Sequence, residues 1–333
     1  MKNAKETHSI IENAKHIAII QAENPDGDSV GSALALEEIL SDTGKTISLY
    51  CPVDIPKYLR YIHGWDRITD IFPVHADAYI IVDTASKVLL EKVLLPENSA
   101  QLQKKPVIVI DHHVTESDLS FEHTMISEEN ALATSEIIYD IAVQNSWKIS
   151  KQAAENIMIA LLSDSLGLSS EATTAKGVKV MADLIELGAH PSEIDTRRRE
   201  FMKKSPEILA YKGRLIERVE YHLDGQLALV HIPWEEIAKY SDQYNPSMLV
   251  LDEMRLVIGV RIAVALKTYP DGKVTGKIRV NPDAKIAEKV AGFFGGGGHP
   301  FAAGFRTYEK YDVIVNELIG ATDKILKEYD ATT

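Results

Sequence analysis

Hydrophobic and polar positions follow two alternating periods over the first 190 residues, and the pattern then changes. Residues 16–21 (His-Ile-Ala-Ile-Ile-Gln), 46–50, 78–82 and 107–110 read as short strands, and Val107-Ile108-Val109-Ile110 has no polar face at all. Such runs predict strands buried on both sides of a sheet. Between and after them the period becomes helical. Residues 7–15 read as a short helix. From Ser29, the positions Val30, Ala33, Leu34, Leu36, Ile39 and Leu40 form a broad apolar face that Gly44 closes. Further helices are predicted at 131–145, 151–163 and 174–188. Strands alternating with helices predict a doubly wound α/β domain with a mostly parallel sheet over residues 1–188.

Residues 189–215 read as a linker helix region. The seam carries Gly188, Pro191, Pro206 and the basic cluster Arg197, Arg198, Arg199, Lys203 and Lys204. A smaller α/β domain is predicted over 216–333. Its strands are expected at 226–232, 256–267 and 273–280, the last two around Tyr269-Pro270-Asp271-Gly272, a strong turn signal. Its helices are expected at 233–241, 283–291 and 311–328.

The polar residues that end the apolar runs carry the candidate chemistry. Asp26 and Asp28 follow the first strand, within Asn24-Pro25-Asp26-Gly27-Asp28-Ser29. Asp83 follows the third strand, and Asp111, His112 and His113 follow the fourth. Asp164 follows the apolar segment 157–163. In a parallel sheet the carboxyl ends of the strands meet at one edge, where ligands bind. Carboxylates gathered there repel one another unless divalent cations neutralise them. Oxygen ligands with an imidazole suit manganese or magnesium better than a sulfur-rich zinc site. Two such ions, typically about 3.5–4 Å apart, stabilise an in-line displacement at phosphorus.

Composition narrows the partners. The 333 residues carry a net charge of −13, which argues against a protein that grips long duplex nucleic acid through its phosphates. A small phosphorylated substrate stays compatible, because a metal centre neutralises phosphate locally. No apolar run reaches transmembrane length, and the single Cys51 excludes an internal disulfide, so a cytoplasmic protein is expected. A second candidate site lies at Gly295-Gly296-Gly297-Gly298-His299, between helix and strand. Glycines let backbone N–H groups approach an anion, and His299 adds a donor. Arg279 is a further phosphate-clamp candidate.

The order of these motifs resembles the DHH–DHHA1 phosphoesterase family, and within it the nanoRNase type of oligoribonuclease and 3′-phosphoadenosine-5′-phosphate phosphatase. The resemblance implies a DHH domain and a DHHA1 domain with a cleft between them. It implies Asp26, Asp28, Asp83, His112 and Asp164 as ligands of two manganese ions, with Asp83 bridging. Asp111 would orient the histidine pair, and His113 would stand beside the scissile phosphate. Gly296, Gly297, Gly298, His299 and Arg279 would bind substrate. The implied reaction converts short oligoribonucleotides or linear dinucleotides to nucleoside 5′-monophosphates, with 3′-phosphoadenosine-5′-phosphate as a further substrate and a homodimer as the state. One departure stands out. The family's usual metal-ligand histidine is replaced by Ala22, which leaves Gln21, Glu23 and Asn24 as candidate substitutes. A cyclic-dinucleotide phosphodiesterase and a weakly active nucleotide-binding protein are the alternatives.

Overall fold

The computed structural model describes residues 3–113, 117–128, 130–170 and 172–332, without the side chains of Ala4 and His299. The chain divides into two compact units, Met1–Lys203 and Lys204–Thr333.

The first unit runs α1 (Ala4–Asn13), β1 (His16–Ile20), α2 (Gly27–Asp42), β2 (Thr46–Tyr50), β3 (Ala78–Val82), α3 (Pro96–Leu102), β4 (Val107–Asp111), β5 (Thr124–Ser127), α4 (Thr134–Gln144), α5 (Lys151–Asp164), α6 (Ala175–Glu186) and α7 (Pro191–Phe201). Its sheet has the order β2-β1-β3-β4-β5, parallel throughout. β3 and β4 have no exposed residue because both faces are covered. On one face Ile17, Ile19, Ile80 and Ile108 pack with α2, α4 and α5. On the other, Ala18, Tyr79, Val107 and Val109 pack under α3 and loop residues such as Phe121. β5 was not legible as a strand: Thr124-Met-Ile-Ser127 lacks an apolar run because it closes the sheet's edge against β4 alone. α2 and α5 pack so closely that a Cβ on Gly31 would stand 2.7 Å from the Asn156 carbonyl oxygen.

The second unit comprises α8 (Pro206–Glu217), β6 (Glu220–His222), β7 (Leu227–Ile232), α9 (Trp234–Tyr240), α10 (Leu251–Arg255), β8 (Ile262–Thr268), β9 (Val274–Val280), α11 (Ala287–Phe293), β10 (Gly297–His299), β11 (Ala302–Thr307) and α12 (Tyr311–Asp330). The sheet order is β10-β11-β9-β8-β7-β6, with β7 and β8 parallel and the other neighbours antiparallel. α11 and α12 cover one face through Leu266, Ile278 and Ile314. α8, α9 and α10 cover the other through Ala228, Ala263 and Tyr211. The strand expected from residue 256 begins at Ile262 instead. Leu256 and Ile258 are exposed, and Gly259 at φ +87° turns the chain, so this apolar run is a loop. Among the described residues, no helix is long and apolar enough to cross a membrane.

Candidate metal centre

The chain leaves β1 for β2 on one side and then crosses back to β3 on the other, so the strand order reverses beside β1 and opens a crevice at the strands' carboxyl ends. Asp26 caps α2 there. Its Oδ1 accepts the N–H groups of Asp28 and Ser29, both at 3.0 Å, and the Ser29 hydroxyl accepts the Asp26 N–H. Asp28 is fully buried. Its Oδ2 accepts the Thr134 N–H at 2.7 Å, and its Oδ1 accepts the Ser32 hydroxyl at 2.9 Å and the Ser135 N–H at 3.3 Å. The first turn of α4 thus holds this charge with otherwise unpaired backbone donors. Asp83 sits at φ +65°, a conformation that a non-glycine residue adopts at a cost. Its Oδ1 accepts the Thr134 hydroxyl at 3.0 Å.

The two histidines after β4 have different partners. Nδ1 of His112 lies 3.3 Å from the Ala131 carbonyl oxygen, to which it donates. That fixes Nε2 as the atom facing the acids: 3.1 Å from Asp164 Oδ2, 3.8 Å from Asp28 Oδ2 and 3.8 Å from Asp83 Oδ1. This buried Nε2 makes no well-directed hydrogen bond. Nδ1 of His113 lies 2.7 Å from Asp111 Oδ1, which also accepts the His113 N–H. Asp111 therefore orients His113, while a backbone carbonyl orients His112. The resemblance implies one acid for both rings, whereas Asp111 bonds His113 and the Ala131 carbonyl bonds His112.

Electrostatics reflect the crowding. Burial, then Asp28, Asp26, Asp164 and Asp111, hold the Asp83 carboxyl well above the usual range. Burial and then Asp164 raise Asp28. Burial raises Asp26, against the hydrogen bond from Ser29. For His112, burial opposes the charged ring, but the Asp164 and Asp28 carboxylates push it up to about 9. Asp83, His112 and His113 form one group whose ligand atoms lie within 4.8 Å of one another, and Asp28, His112 and Asp164 form another. Asp26 falls in neither. A buried imidazole nitrogen facing three carboxylates fits a divalent cation, and the centre uses one.

Ala22 is buried, and its carbonyl accepts the Cys51 thiol. Glu23 is engaged elsewhere, accepting the Lys92 N–H at 2.9 Å. The Gln21 amide is fully buried and makes no hydrogen bond. The Ala131 carbonyl and Thr134 were missed from sequence. The only local signal was Thr134-Ser135 at a helix start, which reads as ordinary capping.

In the second unit the last two glycines of the tetraglycine segment enter a hairpin: Gly297 pairs with Gly304, Gly298 with Ala303 and His299 with Ala302. A Cβ on Gly296 would meet the Gly304 carbonyl oxygen at 2.2 Å, so close packing requires that glycine whatever else it does. The side chain of His299 lies outside the described residues. Arg279 is half-buried on β9, and its Nη1 donates to the Ile278 carbonyl at 2.9 Å. Two further cations were missed. Lys267 and Lys277 line a pocket of about 540 Å³ with Gly295, Gly296 and Arg306. Burial and then Lys277 push Lys267 down to about 8. The signal was the alternation of β9, where Thr275, Lys277 and Arg279 share the face opposite Val274, Ile278 and Val280.

The DHH family, N-terminal domain, matches residues 16–161. The chain is 27% identical over 282 residues to the bifunctional oligoribonuclease and PAP phosphatase NrnA of Thermus thermophilus, covering 84% of this chain and 81% of that protein. It is 24% identical over 312 residues to the protein of the same name from Bacillus subtilis, covering 92% and 93%. The crystal structure of an exopolyphosphatase-related protein from Bacteroides fragilis shares the fold, with a TM-score of 0.87 and 22% identity over 98% of this chain and 97% of that one.

Proposed function

We propose that this chain, whose residues 16–161 match the N-terminal domain of the DHH family and which resembles oligoribonucleases over most of its length, hydrolyses short oligoribonucleotides or linear dinucleotides to nucleoside 5′-monophosphates, with a bisphosphorylated nucleoside as a second substrate. The observation that carries this is His112 Nε2, buried, without a well-directed hydrogen bond and facing the carboxylates of Asp28, Asp83 and Asp164. Asp26, Asp28, Asp83, His112 and Asp164 would hold two manganese ions. Bound there, the ions would neutralise the phosphate and stabilise displacement at phosphorus.

The chain's own groups supply the rest. The Asp28 and Asp83 side chains are fixed in place by Ser32, Thr134 and Ser135, so the acids need no rearrangement when substrate arrives. Asp111 holds Nδ1 of His113, which leaves Nε2 of a half-exposed ring to carry a proton. The Asp111 hydrogen bond raises the His113 pKa, so that proton is available to the leaving oxygen. Lys267, Lys277 and Arg279 supply an anion-recognising face in the second unit, for terminal phosphates. A homodimer in the cytoplasm belongs to the same proposal. Cys51 suits it, since burial pushes its thiol up to about 11 and keeps it unreactive.

The test is a substrate panel with product identification, in manganese and in magnesium. It includes a dinucleotide, a pentanucleotide, a cyclic dinucleotide and adenosine 3′,5′-bisphosphate. Mononucleotide from the dinucleotide supports the proposal. A protein that leaves both the dinucleotide and the bisphosphate intact refutes it.

A further inference from the structure

The first unit holds a pocket of about 640 Å³ beside the metal centre, and none of its lining residues is needed to coordinate a cation except Asp26. Two of its walls continue directly from the metal-site turns. One is Asp26-Gly27, at the start of α2. The other is the turn 163–167, which contains Asp164 and leaves α5. The opposite wall is the single turn Lys57–Leu59 with Tyr61, and α7 closes the remaining side through Ile194 and Arg198. We propose that this pocket is a nucleobase subsite, receiving the base of the nucleotide whose phosphate is held at the metal centre. It rests on the phosphodiesterase proposal above.

The chemistry of the lining selects that occupant. A nucleobase is planar, with two apolar faces and a polar rim, and aromatic side chains bind it by stacking. Tyr58 is 51% exposed and Leu166 73% exposed, and both line the pocket. Leu166 is held out deliberately. It, Gly167 and Leu168 have φ of +50°, +71° and +68°, a run that two leucines adopt only when the surroundings impose it. Ser165 imposes it: its hydroxyl donates to the Leu161 carbonyl at 2.6 Å and accepts the Leu168 N–H at 2.9 Å, and its carbonyl accepts the N–H groups of Ser169 and Ser170. A strained turn thus displays an apolar side chain toward solvent two residues after Asp164, where the hydrophobic core gains nothing from it. At the rim, Arg198 pairs with Asp195 at 2.7 Å, which offers both donors and an acceptor to a base edge.

Binding is measured by equilibrium dialysis of the full chain, loaded with manganese, against adenosine 5′-monophosphate and ribose 5-phosphate. These ligands differ only in the base. The wild type is expected to bind the mononucleotide about ten-fold more tightly, in line with one stacked base. Tyr58→Ala should erase that preference without weakening ribose 5-phosphate, and Tyr58→Trp should restore it. Dinucleotide hydrolysis by Tyr58→Ala should show the loss in KM rather than kcat. Equal affinity of the wild type for both ligands overturns the proposal. So does an equal loss of both in Tyr58→Ala, or a change in oligomeric state with the preference intact, which would make the pocket an interface between copies. Dialysis needs no turnover, so a wild type that prefers the mononucleotide yet cleaves no dinucleotide supports this subsite and refutes only the hydrolase reading.

Discussion

Replacing Asp83 by Asn should have effects of opposite sign on the cation-free and cation-loaded protein. The substitution is nearly isosteric, and Asn tolerates the φ of +65° at this position better than most residues. The amide oxygen can still accept the Thr134 hydroxyl. What disappears is one charge. Asp83 Oδ1 and Asp28 Oδ2 both lie 3.8 Å from His112 Nε2. They are therefore at most about 7.6 Å apart, and two unit charges at that separation repel by at least about 2 kcal/mol at an effective dielectric near 20. The charged His112 ring facing both acids offsets part of this repulsion, so relief on the order of 1 kcal/mol is expected. For a unit of this size that raises Tm by about 2–4 °C without cation. With cation the sign reverses. Manganese at about a hundred times its Kd should stabilise the wild type by about 2.7 kcal/mol, or roughly 5–10 °C. Asp83→Asn should keep under about 2 °C of that shift. Differential scanning calorimetry of chelator-stripped protein, with and without manganese, measures both. A variant that keeps the full cation shift, or that loses stability when stripped, would refute the assignment of Asp83 as a charge held for a metal.

Gly31→Ala places a Cβ 2.7 Å from the Asn156 carbonyl oxygen and 3.0 Å from the Ala160 Cβ, so α2 and α5 must separate. Overpacking of this kind costs about 1–3 kcal/mol, read as a lower urea midpoint at unchanged slope. Lys267, pushed down to about 8, should take up a proton when an anion binds beside it between pH 8 and 9. Calorimetry of phosphate binding in buffers of different ionisation enthalpy should show that uptake, and Lys267→Gln should abolish it. Burial opposes the Glu236 charge, but hydrogen bonds from Arg218 and Tyr211 hold its carboxyl below the usual range. A depressed folded pKa gives stability that is present above the unfolded value of about 4.3 and lost as pH falls through the folded one. Glu236→Gln should therefore flatten the acid limb of the second unit's stability curve, and an unchanged limb would contradict the pairing.

The sequence by itself determined the parallel sheet of the first unit and the residues at its edge. Apolar runs such as 78–82 and 107–110 have no polar face, so only a doubly covered sheet can bury them. A polar residue directly after such a run must lie at the sheet's edge, which is why Asp83 and Asp111 could be placed without coordinates. Tertiary structure alone decided what those residues touch. Asp111 and His112 are adjacent in the chain, yet Asp111 bonds His113 while His112 bonds a carbonyl 19 residues away. Lys277 looked like an ordinary strand residue until β8 and β11 were laid beside it. Nothing in the sequence marks Leu166, and only the fold shows Ser165 holding the turn that places it in a pocket wall. Periodicity is a property of each segment's own burial, and it is written into the segment. Hydrogen-bond partners, charge crowding and pocket walls arise where segments distant in sequence meet, and only the folded chain brings them together.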